Sequence, residues 1–392
     1  MTDPTDAIMT VLHVMPNVSR AFGGPTESLI GYARAAQTQG VDVQVAAPSV
    51  SEKDEAWLQE QLPDVRFHFF ASAGRHAWVV ALGLWTWLWS HGGEYDVVHV
   101  HGLFNPVSSL SAQIAVWRGY PTVMRPFGTL SRYTFSRRSA LKRLYFQLLD
   151  RPSLQRATGI HFTTEPERDE ANRLDLSLDE RSHIIPPPWR GDTAPADLDA
   201  KAEQPTVLFM SRLHPKKNVA GLLDAWAEVV EAQPEARLWI AGDGDEDYVS
   251  ERRRQVERLD LRDRVSFLGF VQGEEKERVL QEAWAFALPS HQENFGVAVL
   301  EAVAAGLPVV ISGEVQLRAF IDANDLGVVV DRTDCSGIAD GLTHTLTSPS
   351  VRERCARVGP EAVDATFSEN RVGEQLAQMY EAVTSHSAPA RS

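Results

Sequence analysis

The sequence predicts an α/β protein made of two doubly wound, Rossmann-like lobes, and three observations predict it. The chain has 392 residues, more than one ordinary core accommodates and enough for two. Short apolar runs alternate with helical patterns from Ile8 to Val330, as in parallel sheets covered on both faces. One tract without periodicity, residues 186–205, interrupts the alternation, starting at Pro186-Pro187-Pro188.

Ile8–Met15 is apolar and rich in β-branched residues, the pattern of a buried parallel strand. Gly23 and Gly24 occupy the loop after it, a helix is expected over Thr26–Gln39, and Gly40 stops that helix. Val41–Ala47, Val65–Phe70, Asp96–Val100 and Pro121–Met124 read as further strands, with weaker patterns at Ile160–Thr163 and His183–Ile185. After the tract, strands are expected at Thr206–Met210, Arg237–Ala241, Val265–Leu268, Trp284–Leu288, Pro308–Ile311 and Gly327–Val330. The C-terminal stretch is helical up to Ser385–Ser392, expected to be a disordered tail. The resulting boundaries are 1–190, 191–368, and 369–392 as a final helix with its tail. In such sheets ligands bind beyond the carboxyl ends of the strands, so a substrate site is expected in a cleft between the lobes.

Hydrophobic content of 43% and charged content of 23% are those of a folded chain. The two cysteines, Cys335 and Cys355, are too few for a disulfide framework and fit a reducing compartment. Met1–Thr10 is acidic and lacks the pattern of a signal peptide, so a cytoplasmic location is expected. The longest apolar stretch, Ala77–Trp89, falls short of the roughly 20 residues of a membrane span and reads as a buried helix. A net charge of −15 argues against nucleic acid as a partner. That charge is unevenly placed: residues 1–190 hold 18 Lys and Arg against 19 Asp and Glu, the remainder 20 against 34. No acid occurs between Asp96 and Asp150, a window holding Arg118, Arg125, Arg132, Arg137, Arg138, Lys142 and Arg143.

Four segments that follow strands could carry chemistry. Phe22-Gly23-Gly24-Pro25-Thr26 lies between a strand and a helix start, where backbone N–H groups can meet a phosphate; alone, it is equally a plain turn. His99-Val100-His101-Gly102 ends a strand, and its two histidines share a face only if the strand runs through both. A metal site there would need further ligands, and no obvious set is visible. Ser211-Arg212-Leu213-His214-Pro215-Lys216-Lys217-Asn218 places cations at a helix N-terminus, suited to a diphosphate. In the fourth, Glu293 lies in a loop, a helix opens near Gly296, Glu301 sits inside that helix beside Val299, Leu300 and Val303, and Gly306 closes it. A carboxylate on an apolar helix face needs a partner, and a sugar or ribose hydroxyl can supply one.

Taken together, these residues resemble a known family. Glu293 and Glu301, with Phe295-Gly296 between them and Gly306-Leu307-Pro308-Val309-Val310 after them, resemble the E-x7-E signature of the GT4 family of retaining glycosyltransferases. Arg212-Leu213 followed by Lys217 resembles that family's R-L-x3-K phosphate motif, with Asn218 where a glycine is usual. Gly23-Gly24 is similar to the N-terminal glycine loop, and Asp96–Gly102 to the strand carrying the histidine of the cleft.

The resemblance implies the GT-B fold, with the last helix crossing back to the first lobe. It implies a nucleotide-diphosphate sugar as donor and a glycan or lipid-linked acceptor, in cell-surface polysaccharide synthesis. Glu293 would hold donor-sugar hydroxyls and Glu301 the ribose, while Arg212 and Lys217 would bind the diphosphate and stabilise the leaving nucleotide. The N–H groups over Phe295, Gly296, Val297 and Ala298 would assist. Gly24, beside Gly23, would approach the phosphate or acceptor, and His101 would line the sugar pocket with His99 and Arg125 nearby. No metal and no other cofactor is implied. Front-face retention is the mechanism usually proposed for the family, whereas a two-carboxylate retaining glycosidase would use a carboxylate nucleophile.

Arg125-Pro126-Phe127-Gly128-Thr129-Leu130 and Thr163-Thr164-Glu165 further resemble members that build exopolysaccharide or lipopolysaccharide. Residues 132–146 then form a basic amphipathic stretch suited to an anionic membrane surface, on the inner face of the plasma membrane; a helix with one packed and one solvated face would read the same. Three other readings compete. Ala241-Gly242-Asp243-Gly244-Asp245 begins like a dinucleotide fingerprint, but Asp247 stands where its third glycine belongs. A sugar-nucleotide epimerase or hydrolase on the same fold, and a non-catalytic nucleotide-sugar-binding homologue, complete the set.

Overall fold

The computed structural model describes residues 8–75, 78–130, 139–189, 191, 201–293 and 295–386. The chain forms two compact units, Met1–Arg190 with Phe367–Ser392, and Gly191–Thr366. Half of the 186–205 tract, residues 190 and 192–200, lies outside the described residues, as does the tail 387–392.

The first unit is built on a seven-stranded parallel sheet of order β3-β2-β1-β6-β7-β8-β9. Its strands are β1 (Thr10–Val14), β2 (Asp42–Pro48), β3 (Arg66–Phe70), β6 (Val97–His101), β7 (Thr122–Arg125), β8 (Gly159–Phe162) and β9 (Ser182–Ile184). Two short antiparallel strands, β4 (Ala73–Arg75) and β5 (Trp78–Val80), form a separate hairpin. The central strands β1, β6, β7 and β8 are almost wholly buried on both faces, and mostly apolar apart from His13, His99, His101, Arg125 and His161 on one of them. On one face, Val11, Val97 and Val123 pack with Tyr32 and Leu29 of the helix Gly24–Thr38 and with Leu376 and Tyr380 of the helix Glu369–His386. On the other, Leu12, Val98 and Ile160 pack with Leu84, Leu88 and Val107.

Local chemistry sets the ends of these helices. Gly23 caps the first at φ +68° and Pro25 occupies its first turn. Asn105 accepts from the Ser108 N–H ahead of the helix Pro106–Arg118, which Gly119 ends in the left-handed region. Helix Glu369–His386 lies tightly on Gly24–Thr38. A Cβ at Gly373 would stand 2.2 Å from the Ala35 carbonyl oxygen, so only glycine fits that crossing.

The Ala77–Trp89 stretch is not one buried helix. It divides between strand β5 and the helix Leu82–His91, in which Leu84 and Leu88 are buried. Trp78, Leu82 and Trp89 stand 57%, 68% and 41% exposed, so the stretch is apolar on its outer side too. Among the described residues no helix is long and apolar enough to cross a membrane.

The second unit holds a six-stranded parallel sheet of order β12-β11-β10-β13-β14-β15. Its strands are β10 (Thr206–Met210), β11 (Arg237–Ala241), β12 (Val265–Gly269), β13 (Ala285–Leu288), β14 (Val309–Ser312) and β15 (Gly327–Val330). Both strand orders reverse direction once. The reversal falls between β1 and β6 in the first unit and between β10 and β13 in the second. Such switch points open a crevice at the carboxyl ends of the strands, the usual ligand position in open α/β sheets.

Candidate active site

In the second unit the loops after β10 and β13 meet at the switch point. Ser211–Asn218 follows β10 and includes a short 3-10 turn, Pro215–Lys217. The His291 N–H donates to the Lys216 carbonyl at 2.7 Å, joining the two loops. Lys217 Nζ and the Glu293 carboxylate form an ion pair, each side chain less than a fifth exposed. Glu293 is also held by its backbone, in a parallel bridge to Val315, and the Ser312 hydroxyl donates to the Ser290 carbonyl at 2.5 Å. The pair therefore sits on a loop fixed from two sides.

Asn218 adopts the left-handed conformation at φ 56°, which asparagine tolerates better than most residues. Its side chain caps the helix Val219–Ala232 by accepting from the Gly221 N–H, and donates to the Arg332 carbonyl at 2.9 Å. The departure from the family's usual glycine is thus compatible with the same turn. Arg212 is exposed and forms no ion pair among the described residues.

Gly296 opens the helix Val297–Ala304 at φ +95°, in the left-handed region that favours glycine. Phe295 is buried, Val297 is 55% exposed, and Ala298 is half-buried. In this first turn the Val299 N–H turns back to the Gly296 carbonyl at 2.9 Å, and the N–H groups that open a helix before that point face outward along its axis. Glu301, one turn on, pairs with Lys276 of the helix Gly273–Glu282 at 3.1 Å. Asn294 lies outside the described residues.

The Gly242–Gly244 pair has a packing explanation. A Cβ at Gly242 or Gly244 would fall 1.9 or 2.0 Å from the carbonyl oxygens of Ser211 and Leu213. These glycines let the loop after β11 lie against the loop after β10, and Asp245 caps the helix Glu246–Arg258. The segment is a scaffold for the Arg212–Lys217 loop and not a dinucleotide fingerprint.

In the first unit, strand β6 runs through both His99 and His101, so both lie on the face covered by Tyr32 and Tyr380. Neither is exposed. Both are fully enclosed, contrary to the expectation of cleft residues: His99 lies a full pleat below the strand end and His101 at the last strand residue. His13 of β1 and His161 of β8 join them, with Arg125 in register beside His101. Burial and the Arg125 charge push His13 down to about 3, and burial first, with neighbouring charges, holds His99, His101 and His161 well below the ordinary histidine range. All four are neutral at pH 7.

Arg125 is itself buried, donating to Ser28 Oγ at 3.0 Å and to Thr163 Oγ1 at 3.4 Å. Its guanidinium lies 4.4 Å from the ring centres of Tyr32 and Phe127. The two subfamily segments meet nearby: Glu167 accepts from the Gly128 N–H at 2.5 Å and from the Thr163 N–H at 2.8 Å. Gly23 and Gly24 leave open space where a Cβ would be, at the start of the helix that carries Ser28 and Tyr32.

Sequence reasoning missed His13, His161, Tyr380, Glu167 and Lys276. His13 and His161 did leave a signal, a polar residue inside an otherwise apolar strand, and they share one side of the sheet with His99 and His101. Tyr380 and Lys276 sit in amphipathic helices, where nothing in the pattern marks them. His13, His99 and His101 bring one ring nitrogen each within 4.8 Å of one another. The sequence reading found no ligand set because His13 and His101 are 88 residues apart.

Two open parallel sheets in two units, each with ionisable or hydrogen-bonding side chains gathered at its switch point, are the arrangement expected of the GT-B fold. A "Glycosyl transferase 4-like domain" matches residues 23–188, and "Glycosyl transferases group 1" matches residues 192–362. The chain belongs to the group 1, GT4-type glycosyltransferases.

It is similar to the phosphatidyl-myo-inositol mannosyltransferase of Mycobacterium tuberculosis, 29% identical over 92% of this chain and 93% of that protein. Over 59% of this chain and 62% of that protein, it is 27% identical to the alpha-D-kanosaminyltransferase of Streptomyces kanamyceticus. Among solved structures, Anabaena Alr3699/HepE in complex with UDP superposes with a TM-score of 0.76 at 18% identity, covering 95% of this chain and 100% of that one. WaaG, a glycosyltransferase involved in lipopolysaccharide biosynthesis, superposes at 0.64 with 16% identity over 94% and 99%.

Proposed function

We propose that the enzyme transfers a hexosyl group, with retention, from a nucleotide-diphosphate sugar to a glycan or lipid-linked acceptor in cell-surface polysaccharide or glycolipid synthesis. The observation that carries this reading is the Lys217–Glu293 pair at the second unit's switch point, one loop from the N-terminus of Val297–Ala304. The second unit binds the donor. Arg212, Lys217 and the N–H groups at Phe295–Ala298 hold the diphosphate. Glu293 accepts from sugar hydroxyls, and Glu301, positioned by Lys276, accepts from the ribose.

In the reaction the C1–O bond to phosphate breaks and an acceptor oxygen bonds C1 on the same face. The acceptor proton passes to the departing phosphate oxygen. Arg212 and Lys217 stabilise the charge that grows on the diphosphate, so this reading assigns no step to a metal or cofactor. In the first unit Gly23 and Gly24 leave space for the phosphate or acceptor, and His101 and Arg125 meet a sugar hydroxyl. A test is incubation with labelled UDP-, GDP- and ADP-hexoses and candidate acceptors. Label moving to acceptor is expected. Epimerised donor, donor hydrolysis alone, or binding without turnover would each replace the proposal with another reading.

The acceptor is brought from an anionic membrane surface. Of residues 132–146, only those from Ser139 are described; Leu141 and Leu144 stand 70% and 56% exposed there, followed by Leu148 at 62%. Trp78 packs edge-on against Tyr145 and Trp89 against Trp117, itself 72% exposed, with Arg118 4.8 Å from the Trp89 ring centre. Exposed leucines and tryptophans beside Arg and Lys match an interfacial surface. Co-sedimentation at low salt is expected to be several-fold greater with vesicles of 30% phosphatidylserine, about the composition that gives a strong surface potential, than with phosphatidylcholine alone. Leu141→Ser with Leu144→Ser weakens binding to both vesicles, and Lys142→Glu with Arg143→Glu removes the difference. Equal sedimentation with both vesicles would sink this part of the proposal.

A further inference from the structure

The histidines of the first unit form an ordered chain of hydrogen bonds. His161 Nε2 is 2.8 Å from the Ile185 carbonyl oxygen, which also accepts from the Tyr32 hydroxyl at 3.0 Å. His161 Nδ1 is 3.4 Å from His99 Nε2, and His99 Nδ1 is 3.0 Å from the Tyr380 hydroxyl. That hydroxyl is 3.4 Å from His13 Nε2, and His13 Nδ1 is 2.8 Å from His101 Nε2. The chain ends at His101 Nδ1, buried and without a partner among the described residues.

One end of the chain sets its direction. A carbonyl oxygen only accepts, so His161 carries its proton on Nε2 and leaves Nδ1 as an acceptor. His99 must then donate from Nε2 and accept at Nδ1. Tyr380 donates to His99 and accepts from His13 Nε2–H, and His13 Nδ1 accepts from His101 Nε2–H. The opposite direction would set the His161 Nε2 lone pair against the Ile185 oxygen at 2.8 Å. Each ring is neutral, so each has one donor and one acceptor, and a single pattern satisfies every link.

We propose that His161, His99, Tyr380 and His13 are positioning residues that lock His101 in its Nε2–H tautomer, presenting the Nδ1 lone pair to a substrate hydroxyl at the carboxyl end of β6. Arg125 supplies the complement: its Nε is also buried and unpartnered among the described residues, and it stands in register with His101 on the neighbouring strand. A hydroxyl can donate to His101 Nδ1 and accept from Arg125 Nε–H, whereas a methylated position can only accept and a deoxy position can do neither. Discrimination against a missing hydroxyl follows, because both protein groups would stay buried and unpaired. The tautomer is a property of the unliganded chain; the role in recognising a hydroxyl rests on the proposed function.

A metal ion is the competing use of His13, His99 and His101, and the geometry disfavours it. His13 Nδ1 and His101 Nε2 are 2.8 Å apart, a hydrogen-bond separation shorter than the roughly 3.3 Å between two nitrogens on one tetrahedral zinc ion. A zinc ion needs three nitrogens aimed at it from about 2.0–2.1 Å, and these nitrogens already serve in the chain.

The test is long-range proton–nitrogen NMR on the full-length protein labelled with ¹⁵N-histidine, without donor or acceptor. All four histidines are expected as neutral Nε2–H tautomers. Tyr380→Phe keeps the ring and removes the hydroxyl link. His161 and His99, still directed by the Ile185 carbonyl, are expected to stay Nε2–H, while His13 and His101 become tautomeric mixtures. A purely packing role for Tyr380 would change all four or none, and either result would overturn the relay. So would Nδ1–H on His101 in the wild type, or stoichiometric zinc in the purified protein. As a second variant, His161→Phe removes the directing link and is expected to mix the tautomers of His99, His13 and His101; unchanged tautomers there would also overturn it. With these spectra as predicted, failure of transfer in every donor assay would count against the proposed function and leave the relay standing.

Discussion

Glu293→Ala is expected to lower kcat/KM for transfer by about 10³-fold or more, the scale seen when a preorganised charged or hydrogen-bonding group is removed from a reacting centre. The physical reason is its fixed position. Glu293 is bridged to Val315 and paired with Lys217, and the loops on both sides are held by hydrogen bonds. A carboxylate held this way can accept from sugar hydroxyls in the geometry of the transition state without reorganising first. The same substitution should leave the fold intact. The pair is less than a fifth exposed, so the substitution leaves Lys217 without its counter-charge and lowers the urea midpoint while the protein stays folded. Steady-state kinetics together with a urea melt separate the two effects. A cooperative melt well above the assay conditions with turnover lost supports the assignment, and near-normal turnover would remove Glu293 from the site. Glu293→Gln refines the result, since it keeps one accepting oxygen and loses the charge.

Lys217→Ala should reduce kcat by about 10²–10³-fold, with a smaller effect on KM, because the charge it meets grows as the diphosphate leaves. Lys217→Arg is expected to rescue only in part. A planar guanidinium does not replace a compact ammonium, and the loop is held in place by the His291 N–H to Lys216 carbonyl bond. Combining Lys217→Ala with Glu293→Ala should cost far less than the product of the two single losses, since the residues act as a unit. Full multiplicative loss would mean that the pair seen here has separate roles. A KM effect alone would assign Lys217 to ground-state binding.

Most of the fold was legible because its signals are local. Every major strand of both sheets was placed within two residues, since buried parallel strands are short apolar runs punctuated by glycine, asparagine and proline. The error over Ala77–Trp89 has a physical cause. Apolar composition was read as burial, yet Trp78, Leu82 and Trp89 point outward. The residues that the proposal places at the donor carry a local signal: Arg212, Lys217, Glu293 and Glu301 lie in strand-following loops or a helix start with recognisable spacing, and the structure brings Lys217 and Glu293 together. Partners drawn from distant segments were not. Lys276 reaches Glu301 from another helix, and Tyr380 reaches His99 across 281 positions of sequence. The four buried histidines come together only through strand order and register, which no local pattern encodes.

The central claim is that the chain moves a sugar from a nucleotide diphosphate with its anomeric configuration kept. The direct measurement is proton NMR of the newly formed glycoside when the protein turns over an α-configured UDP- or GDP-hexose with an accepted acceptor. An α-linked product, formed in step with release of UDP or GDP, is the result predicted. A β-linked product, or nucleotide release with no glycoside formed, would contradict the account.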